Sequence, residues 1–146
     1  MHAVVIGCGR VGSAVAQQLA SEGWNVTAVD ENEEALARLG TGWRGGFVVG
    51  HAMESEILVR AGIETADAAV VATSGDNTNI VVGQVIQKQY GISCVVVRVL
   101  DPRRAEFYAK RGLRTVCPTQ TAISFLVDEV RSCAVASAPA SREEQA

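Results

Sequence analysis

A glycine-rich segment close to the N-terminus constrains the fold more than any other feature of the chain. Gly7 closes an apolar run at residues 2–7, and Gly9 and Gly12 open an amphipathic segment at residues 10–22. The order is therefore a strand, a Gly-x-Gly-x-x-Gly turn and a helix. In such a turn the first glycine permits a tight bend, the second lets a ligand approach the backbone, and the third lets the helix pack on the strand. The segment predicts a right-handed βαβ crossover and a parallel sheet.

The alternation of strand and helix continues along the chain. Short runs rich in valine, isoleucine and alanine predict six strands, at residues 2–7, 25–30, 46–50, 66–73, 93–100 and 114–118. Amphipathic segments predict helices near residues 10–22, 33–39, 55–61, 77–90, 103–111 and 119–131, the first five followed by glycines. The expected fold class is α/β, a Rossmann-like, doubly wound, parallel six-stranded sheet with ligand residues gathered at the carboxyl ends of the strands.

Length and composition favour one domain and argue against several classes of partner. The 146 residues are 48% hydrophobic but only 5% aromatic, which favours buried parallel strands covered by helices. The net charge of −3 gives no general attraction to nucleic acid or anionic lipid. No uncharged apolar stretch approaches the ~18 residues of a membrane span, and no secretory leader is recognisable. We expect a domain at residues 1–133 and a disordered, Ala/Ser/Pro-rich tail at residues 134–146.

The four cysteines, Cys8, Cys94, Cys117 and Cys133, lack C-x-x-C spacing. Free thiols are therefore expected rather than a metal site. Together with the absence of a secretory leader, they indicate a reducing, cytosolic environment.

An aspartate follows the glycine turn at the spacing typical of dinucleotide sites. Asp30 ends the second predicted strand, about 20 residues after the glycines, where a carboxylate accepts hydrogen bonds from the ribose hydroxyls of an adenosine. It would repel a 2′-phosphate, so NAD(H), ATP, ADP or AMP fit better than NADP(H). The alternative is that Asp30 caps the second helix, although Asn32 can do so instead. Arg10, a cation in the first turn of the first helix, is unfavourable there unless an anion such as a bound phosphate lies nearby; the alternative is a solvated side chain.

Three further positions at predicted strand ends are candidates for the same site. The segment after the fourth strand carries short polar residues that serve either as ligand contacts or as turn and cap residues: Thr73, Ser74, Asp76, Asn77 and Asn79. Arg98 interrupts an apolar strand, where a lone guanidinium needs an anionic partner, either a nucleotide phosphate or Asp101. His51 follows the third strand, where a lone histidine is more often an edge residue than a ligand.

Several segments in this order and spacing resemble the RCK N-terminal domain, also called KTN or TrkA-N, of Trk/Ktr-type potassium uptake regulatory proteins. They are GCGRVG, Asp30, GHAMESEIL, ATSGDNTNIVVGQVIQKQYG and VVVRVLDPRRAEFYAKRGLRTVCPT, and the resemblance covers residues 1–133. It implies a domain that binds NAD(H), ATP or ADP and assembles as a homodimer or larger ring beneath a membrane-embedded K⁺ transporter or channel. It also implies that the last helix, residues 123–130, is a crossover helix joining two subunits, and that the location is the cytoplasmic face of the cell membrane.

The resemblance also implies which residues bind the nucleotide. They are Gly7, Cys8, Gly9, Arg10, Val11 and Gly12 in the phosphate loop, Asp30 and Glu31 after the second strand, His51 and Ala52 after the third, and Thr73, Ser74, Asn77 and Arg98. The family usually has Gly-Asp where Gly50-His51 stands here, and a C-terminal RCK domain normally follows residue 133. Either the sequence is a piece of a longer chain, or a partner chain supplies that half.

Two functions are compatible with this pattern. The first is a regulatory nucleotide sensor, in which ligand state changes the conformation of a ring and no bond is made or broken. The second is the cofactor-binding module of an NAD-dependent oxidoreductase. We favour the sensor and expect no enzymatic activity, because no residues combine as nucleophile, base and orienting group.

Overall fold

The computed structural model describes residues 1–138, which form a six-stranded sheet covered by helices. The strands are β1 His2–Ile6, β2 Asn25–Asp30, β3 Gly46–Val49, β4 Ala68–Val71, β5 Cys94–Arg98 and β6 Arg114–Val116. The α-helices are α1 Arg10–Ser21, α2 Ser55–Arg60, α3 Asp76–Gln89, α4 Pro102–Ala109 and α5 Pro118–Ser137. Two 3-10 helices lie at Glu33–Leu39 and Ile63–Thr65.

The strand order creates a ligand crevice at a defined place. All strand pairs are parallel, and the order across the sheet is β3-β2-β1-β4-β5-β6. Strands β2 and β3 lie on one side of β1, and strands β4 to β6 lie on the other. The topological switch point is therefore between β1 and β4, where Ile6 lies opposite Val71 at the carboxyl ends. In open α/β sheets ligands bind at this switch point. The prediction of a Rossmann-like, doubly wound parallel sheet is confirmed.

Alternating side chains of the central strands enter two separate apolar clusters. Val4 and Ile6 of β1 join the larger cluster with α2 and α3, whereas Val5 joins the smaller one with α1 and the Glu33–Leu39 helix. All three valine and isoleucine side chains are at most 1% exposed. Burial on both faces explains why the strands read as continuous apolar runs.

The predicted helices are present, with differences at their ends. The second is a 3-10 helix rather than an α-helix, and the first, third, fourth and fifth begin or end one or two residues from the expected positions. The glycines expected as stops adopt positive φ: Gly23, Gly40, Gly62, Gly91 and Gly112.

The last helix differs most from expectation. It continues to Ser137, so residues 134–137, which composition assigned to the tail, are helical. Residues 139–146 of that predicted tail lie outside the described residues, and the domain boundary at 133 stays a prediction. No residue of α5 is buried. None of the helices within residues 1–138 combines the length and the apolar character needed to cross a bilayer.

Candidate nucleotide site

A cleft of about 550 Å³ lies at the carboxyl edge of the sheet. It brings together most of the residues that the sequence nominated: Gly7, Gly9, Arg10, Val11, Asp30, Glu31, His51, Ala52, Thr73, Ser74 and Arg98. Its lining also includes residues that sequence reasoning did not nominate: Ile6, Val29, Arg38, Gly50, Ala72, Gly75 and Thr78. The size is within the range of small-molecule and cofactor pockets.

The three glycines of the turn have different physical roles. Gly7 adopts φ +90°, and a Cβ there would lie 2.7 Å from the backbone of Ala72 and Thr73. A Cβ on Gly12 would overlap the carbonyl oxygen of Gly7 and would lie 3.8 Å from the Val5 side chain of β1, so this glycine lets α1 pack closely on the turn and the strand. A Cβ on Gly9 would meet nothing within 4 Å. Gly7 and Gly12 therefore permit the turn, while Gly9 leaves open the space in front of it.

The N-terminus of α1 faces the cleft. Gly9 is its N-cap and provides no side-chain hydrogen bond, and the first turn contains no acidic residue. The first helical hydrogen bond runs from the Ser13 N–H to the Gly9 carbonyl, at 3.0 Å. N–H groups that precede this bond have no helical partner, and they carry the positive end of the helix dipole. Arg10 adds an exposed guanidinium to the same side of the cleft.

Asp30 connects the glycine turn to the end of β2 by a hydrogen bond. Its Oδ2 accepts from the Cys8 N–H at 2.7 Å, and its Oδ1 accepts from the Asn32 N–H at 2.9 Å. Asn32 caps the Glu33–Leu39 helix, since its Oδ1 accepts from the Glu34 N–H at 2.9 Å. The alternative role of Asp30 as that cap is therefore wrong. A carboxylate has about four lone-pair sites, so both oxygens keep capacity for ribose hydroxyls.

Cys8 belongs to the turn but not to the cleft lining. The side chain is fully buried, and burial, reinforced by the nearby Asp30 carboxylate, raises the pKa of its thiol to about 12. Its Sγ lies 3.8 Å from the Val29 carbonyl, to which it donates. A thiol held neutral and buried is not a nucleophile. The contribution of Cys8 to the site is its backbone, whose N–H donates to Asp30.

The other wall of the cleft is organised by a fully buried asparagine. The Oδ1 of Asn79 accepts from the Thr73 N–H at 2.9 Å and from the Thr73 hydroxyl. Its Nδ2 donates to the carbonyl oxygens of Thr73 and Arg98, both at 3.0 Å. Asn79 thereby joins the end of β4 to the end of β5. The sequence named it only as one of several polar residues after the fourth strand.

The side chain of Arg98 reaches from β5 to the end of β4 and has no carboxylate partner within residues 1–138. Its Nη2 donates to the Thr73 carbonyl at 2.6 Å, while its buried Nε has no hydrogen-bond partner within residues 1–138. Asp101, the structural candidate, instead caps α4 by accepting from the Arg104 N–H at 3.0 Å. No ion pair with Arg98 forms in the described part of the chain. The alternative that Asp101 neutralises Arg98 is therefore wrong.

Asn77 does not line the cleft, contrary to expectation. Its Oδ1 accepts from the Arg104 Nη2 at 2.7 Å on an exposed surface. Helix α3 begins at Asp76, and the residues that face the cleft are Gly75 and Thr78. Asp76 binds backbone N–H groups of Leu100 and Asp101, at 2.8 and 3.0 Å. Several polar residues in a row do not reveal which one faces inward, because that depends on where the helix begins.

An exposed histidine and glutamate form the rim between β2 and β3. The Nε2 of His51 lies 3.8 Å from Oε2 of Glu31, and its Nδ1 accepts from the Met53 N–H at 3.2 Å. Gly50 and Ala52 flank His51 in the cleft lining. No group of three metal-ligating side chains occurs in the part of the chain that the structure describes.

Comparison with known proteins shows which family the chain belongs to. The family model for the TrkA-N domain matches residues 3–119. The chain belongs to the TrkA-N domain family. A curated TrkA-N relative, the Trk system potassium uptake protein TrkA of Streptomyces coelicolor, is 43% identical over 116 residues, or 80% of this chain. The match spans 52% of that relative, so the chain corresponds to about half its length.

Two solved structures are similar in fold to this chain at low sequence identity. The Kef CTD of Shewanella denitrificans, solved in an AMP-bound form, has a TM-score of 0.77 and 20% identity, covering 91% of this chain and 82% of that one. The GsuK protein bound to ADP has a TM-score of 0.76 and 22% identity, covering 90% of this chain and 34% of that one. The likeness to these proteins supports the fold assignment.

Proposed function

We propose that this TrkA-N domain is a regulatory nucleotide sensor of a potassium uptake system. The observation that carries the proposal is Arg98, a strand-end guanidinium in the cleft with a buried, unpartnered Nε and no carboxylate partner among residues 1–138. A half-buried guanidinium with an unpartnered, buried N–H is stabilised by an anion within hydrogen-bond distance. The phosphate groups of a nucleotide would supply it, opposite the N-terminus of α1.

The ligand class that fits best is an adenosine nucleotide, NAD(H), ATP or ADP. Asp30 lies at the end of β2, where its oxygens can accept from ribose hydroxyls, and its negative charge disfavours the 2′-phosphate of NADP(H). AMP and ADP in the two similar structures are consistent with this class. His51 and Ala52 would lie beside the adenine, and Thr73 and Ser74 beside the phosphates or nicotinamide.

The regulatory role requires self-association and a pore partner. Three apolar side chains of α5 are about two-thirds exposed, Phe125 at 68%, Leu126 at 66% and Val130 at 67%. Such a face favours pairing with a second copy as a homodimer or larger ring. The TrkA relative from Streptomyces coelicolor points to a K⁺ transporter or channel in the cell membrane as partner, with this domain on the cytoplasmic side.

Ligand binding would act on transport by shifting the arrangement of the ring, which needs a ligand with different affinities for two arrangements. A C-terminal RCK half, in the same chain or another, would complete the regulator. We further propose that the domain makes and breaks no bond. No observation favours the oxidoreductase alternative.

A binding panel with matched variants tests the proposal. Thermal shift and calorimetry with NAD⁺, NADH, NADPH, ATP, ADP and AMP should give specific stabilisation, because a ligand that binds only the folded state raises apparent stability. Arg98→Gln should weaken ADP binding at least tenfold, whereas Arg114→Gln, an exposed arginine on β6 outside the cleft, should not. Equal affinity of both variants, or no binding by the wild-type domain, would refute the site.

A further inference from the structure

Arg38 places an additional positive charge on the ribose side of the cleft. It lies in the last turn of the Glu33–Leu39 helix and contributes to the cleft lining. Its Nη1 donates to the Cys8 carbonyl at 3.4 Å, the one hydrogen bond that its guanidinium makes within the described chain. Neither Asp30 nor Glu31 forms an ion pair with it, since no carboxylate oxygen of residues 1–138 lies within 4.0 Å. Most of its five N–H donors therefore remain available.

The backbone that carries Arg38 is held in place from two sides. The side-chain amide of Gln17, on α1, donates to the carbonyl of Arg38 at 3.2 Å and to that of Leu39 at 3.0 Å. Leu39 is 3% exposed and belongs to the apolar cluster beneath α1. The guanidinium thus extends from a fixed point toward the glycine turn, and its reach into the cleft does not depend on a mobile loop.

Arg38 and Asp30 meet the same residue from opposite sides. Asp30 accepts from the Cys8 N–H at 2.7 Å, and Arg38 donates to the Cys8 carbonyl. Their charges act on the Cys8 thiol with opposite signs. The two groups are therefore neighbours across one residue, yet they do not pair directly. An anion attached to a ribose hydroxyl at Asp30 would be repelled by the carboxylate and attracted by the guanidinium.

We infer that Arg38 is a specificity-determining residue that lets the cleft accept adenosine nucleotides phosphorylated on the 2′ oxygen of the ribose, the class to which NADP(H) belongs. The inference rests on the proposed nucleotide function and modifies its selectivity. With Asp30 alone, exclusion of a 2′-phosphate would be strong. With Arg38 beside it, the selectivity becomes a graded preference for the unphosphorylated ribose. A purely structural role would be stabilisation of the carboxyl end of its helix by a cation.

The test is the ratio of the dissociation constants for NADP⁺ and NAD⁺, measured by calorimetry on the folded wild-type chain and on variants. The ratio cancels changes in the contacts that both nucleotides share. Arg38→Gln should raise the ratio about fivefold, the effect expected for one solvated charge several ångströms from a phosphate at moderate salt. Arg44→Gln removes an equal charge from an exposed arginine outside the cleft and should leave the ratio unchanged.

The outcomes separate this inference from the proposed function. An unchanged ratio in Arg38→Gln, or wild-type binding of NAD⁺ with no detectable binding of NADP⁺, would overturn the role of Arg38 while nucleotide binding stands. Equal weakening of both nucleotides would also overturn it, because Arg38 would then contact a shared group. If the wild-type chain binds neither these dinucleotides nor ADP, the nucleotide proposal fails, and the inference fails with it.

Discussion

The substitution Asn79→Ala tests whether the buried side-chain amide of Asn79 fixes the carboxyl ends of β4 and β5 relative to each other at the ligand cleft. It removes both bonds that the Asn79 Oδ1 accepts from Thr73 and both bonds that its Nδ2 donates to the Thr73 and Arg98 carbonyls. The Thr73 carbonyl keeps its bond from Arg98. The Thr73 N–H and the Arg98 carbonyl each lose a partner at a part-buried site next to the fully buried Asn79 side chain.

The expected loss of unfolding free energy follows from these two groups. A buried polar group left without its partner destabilises by about 1–1.5 kcal/mol at a partly buried site, which gives about 2–3 kcal/mol in total. For a chain of this length that corresponds to a melting temperature lower by about 6–10 °C. ADP affinity should fall as well, because the wall that presents Thr73 and Arg98 is no longer fixed.

Urea unfolding followed by circular dichroism measures the stability, and calorimetry with ADP measures the affinity. The matched control is Asn77→Ala, which removes the same side chain two residues away, where its contact with Arg104 is exposed. We expect this control to change stability by less than about 0.5 kcal/mol and to leave ADP affinity within about twofold. If the two variants lose equal stability, or if Asn79→Ala loses less than about 1 kcal/mol, the assignment of Asn79 as the organiser of this wall is incorrect.

Three other predictions follow from the turn, the buried thiol and α5. Gly12→Ala should unfold the domain or lower its stability by more than about 3 kcal/mol, because the new Cβ would overlap the Gly7 carbonyl. Gly9→Ala should keep the wild-type melting temperature but bind ADP weakly, and equal melting temperatures of the two variants would contradict this reasoning. Folding raises the pKa of the Cys8 thiol from 9.0 to about 12, so the unfolded state loses the thiol proton at lower pH than the folded state. The free energy of unfolding should therefore fall as pH rises from about 9 to 12, by at most ~1.4 kcal/mol per pH unit. Urea unfolding of Cys8→Ala at several pH values should lack this decrease. Phe125→Asp should abolish self-association in sedimentation experiments without lowering the melting temperature of the monomer, since no residue of α5 is buried; an unchanged oligomer would refute its role.

The fold could be predicted from the sequence because its determinants are local. Each strand is a short apolar run, the first five helices that follow the strands are each followed by a glycine with positive φ, and the turn from Gly7 to Gly12 has few sterically possible conformations. Parallel strands with right-handed crossovers then bring all carboxyl ends to one edge. Asp30 and Arg98 could be nominated for the same reason, since each ends a strand at that edge.

The finer geometry of the site could not be predicted from local patterns. Which of Asn77 and Asn79 points inward depends on the residue at which α3 begins, and a shift of two residues rotates a side chain to the opposite side of the helix. Arg38 has no sequence pattern that assigns it to the cleft, because its position depends on packing of its helix against Gln17 on α1. The end of α5 predicted from composition was also too early, because small residues such as those at 134–137 are compatible with both a helix and a tail.

A series of contacts links the first residue of α3, which follows Gly75 of the cleft lining, to α5. The carboxylate of Asp76 binds the N–H groups of Leu100 and Asp101, and the Leu100 carbonyl accepts from the thiol of Cys117 at 3.5 Å. Cys117 in turn caps α5, the helix proposed to join two copies. If a nucleotide changes the pairing of α5 through these elements, linkage requires that pairing change the nucleotide affinity by the same factor. The dependence of ADP affinity on protein concentration therefore measures the same coupling as the dependence of oligomeric state on ADP, and the two values must agree if the domain acts as a sensor.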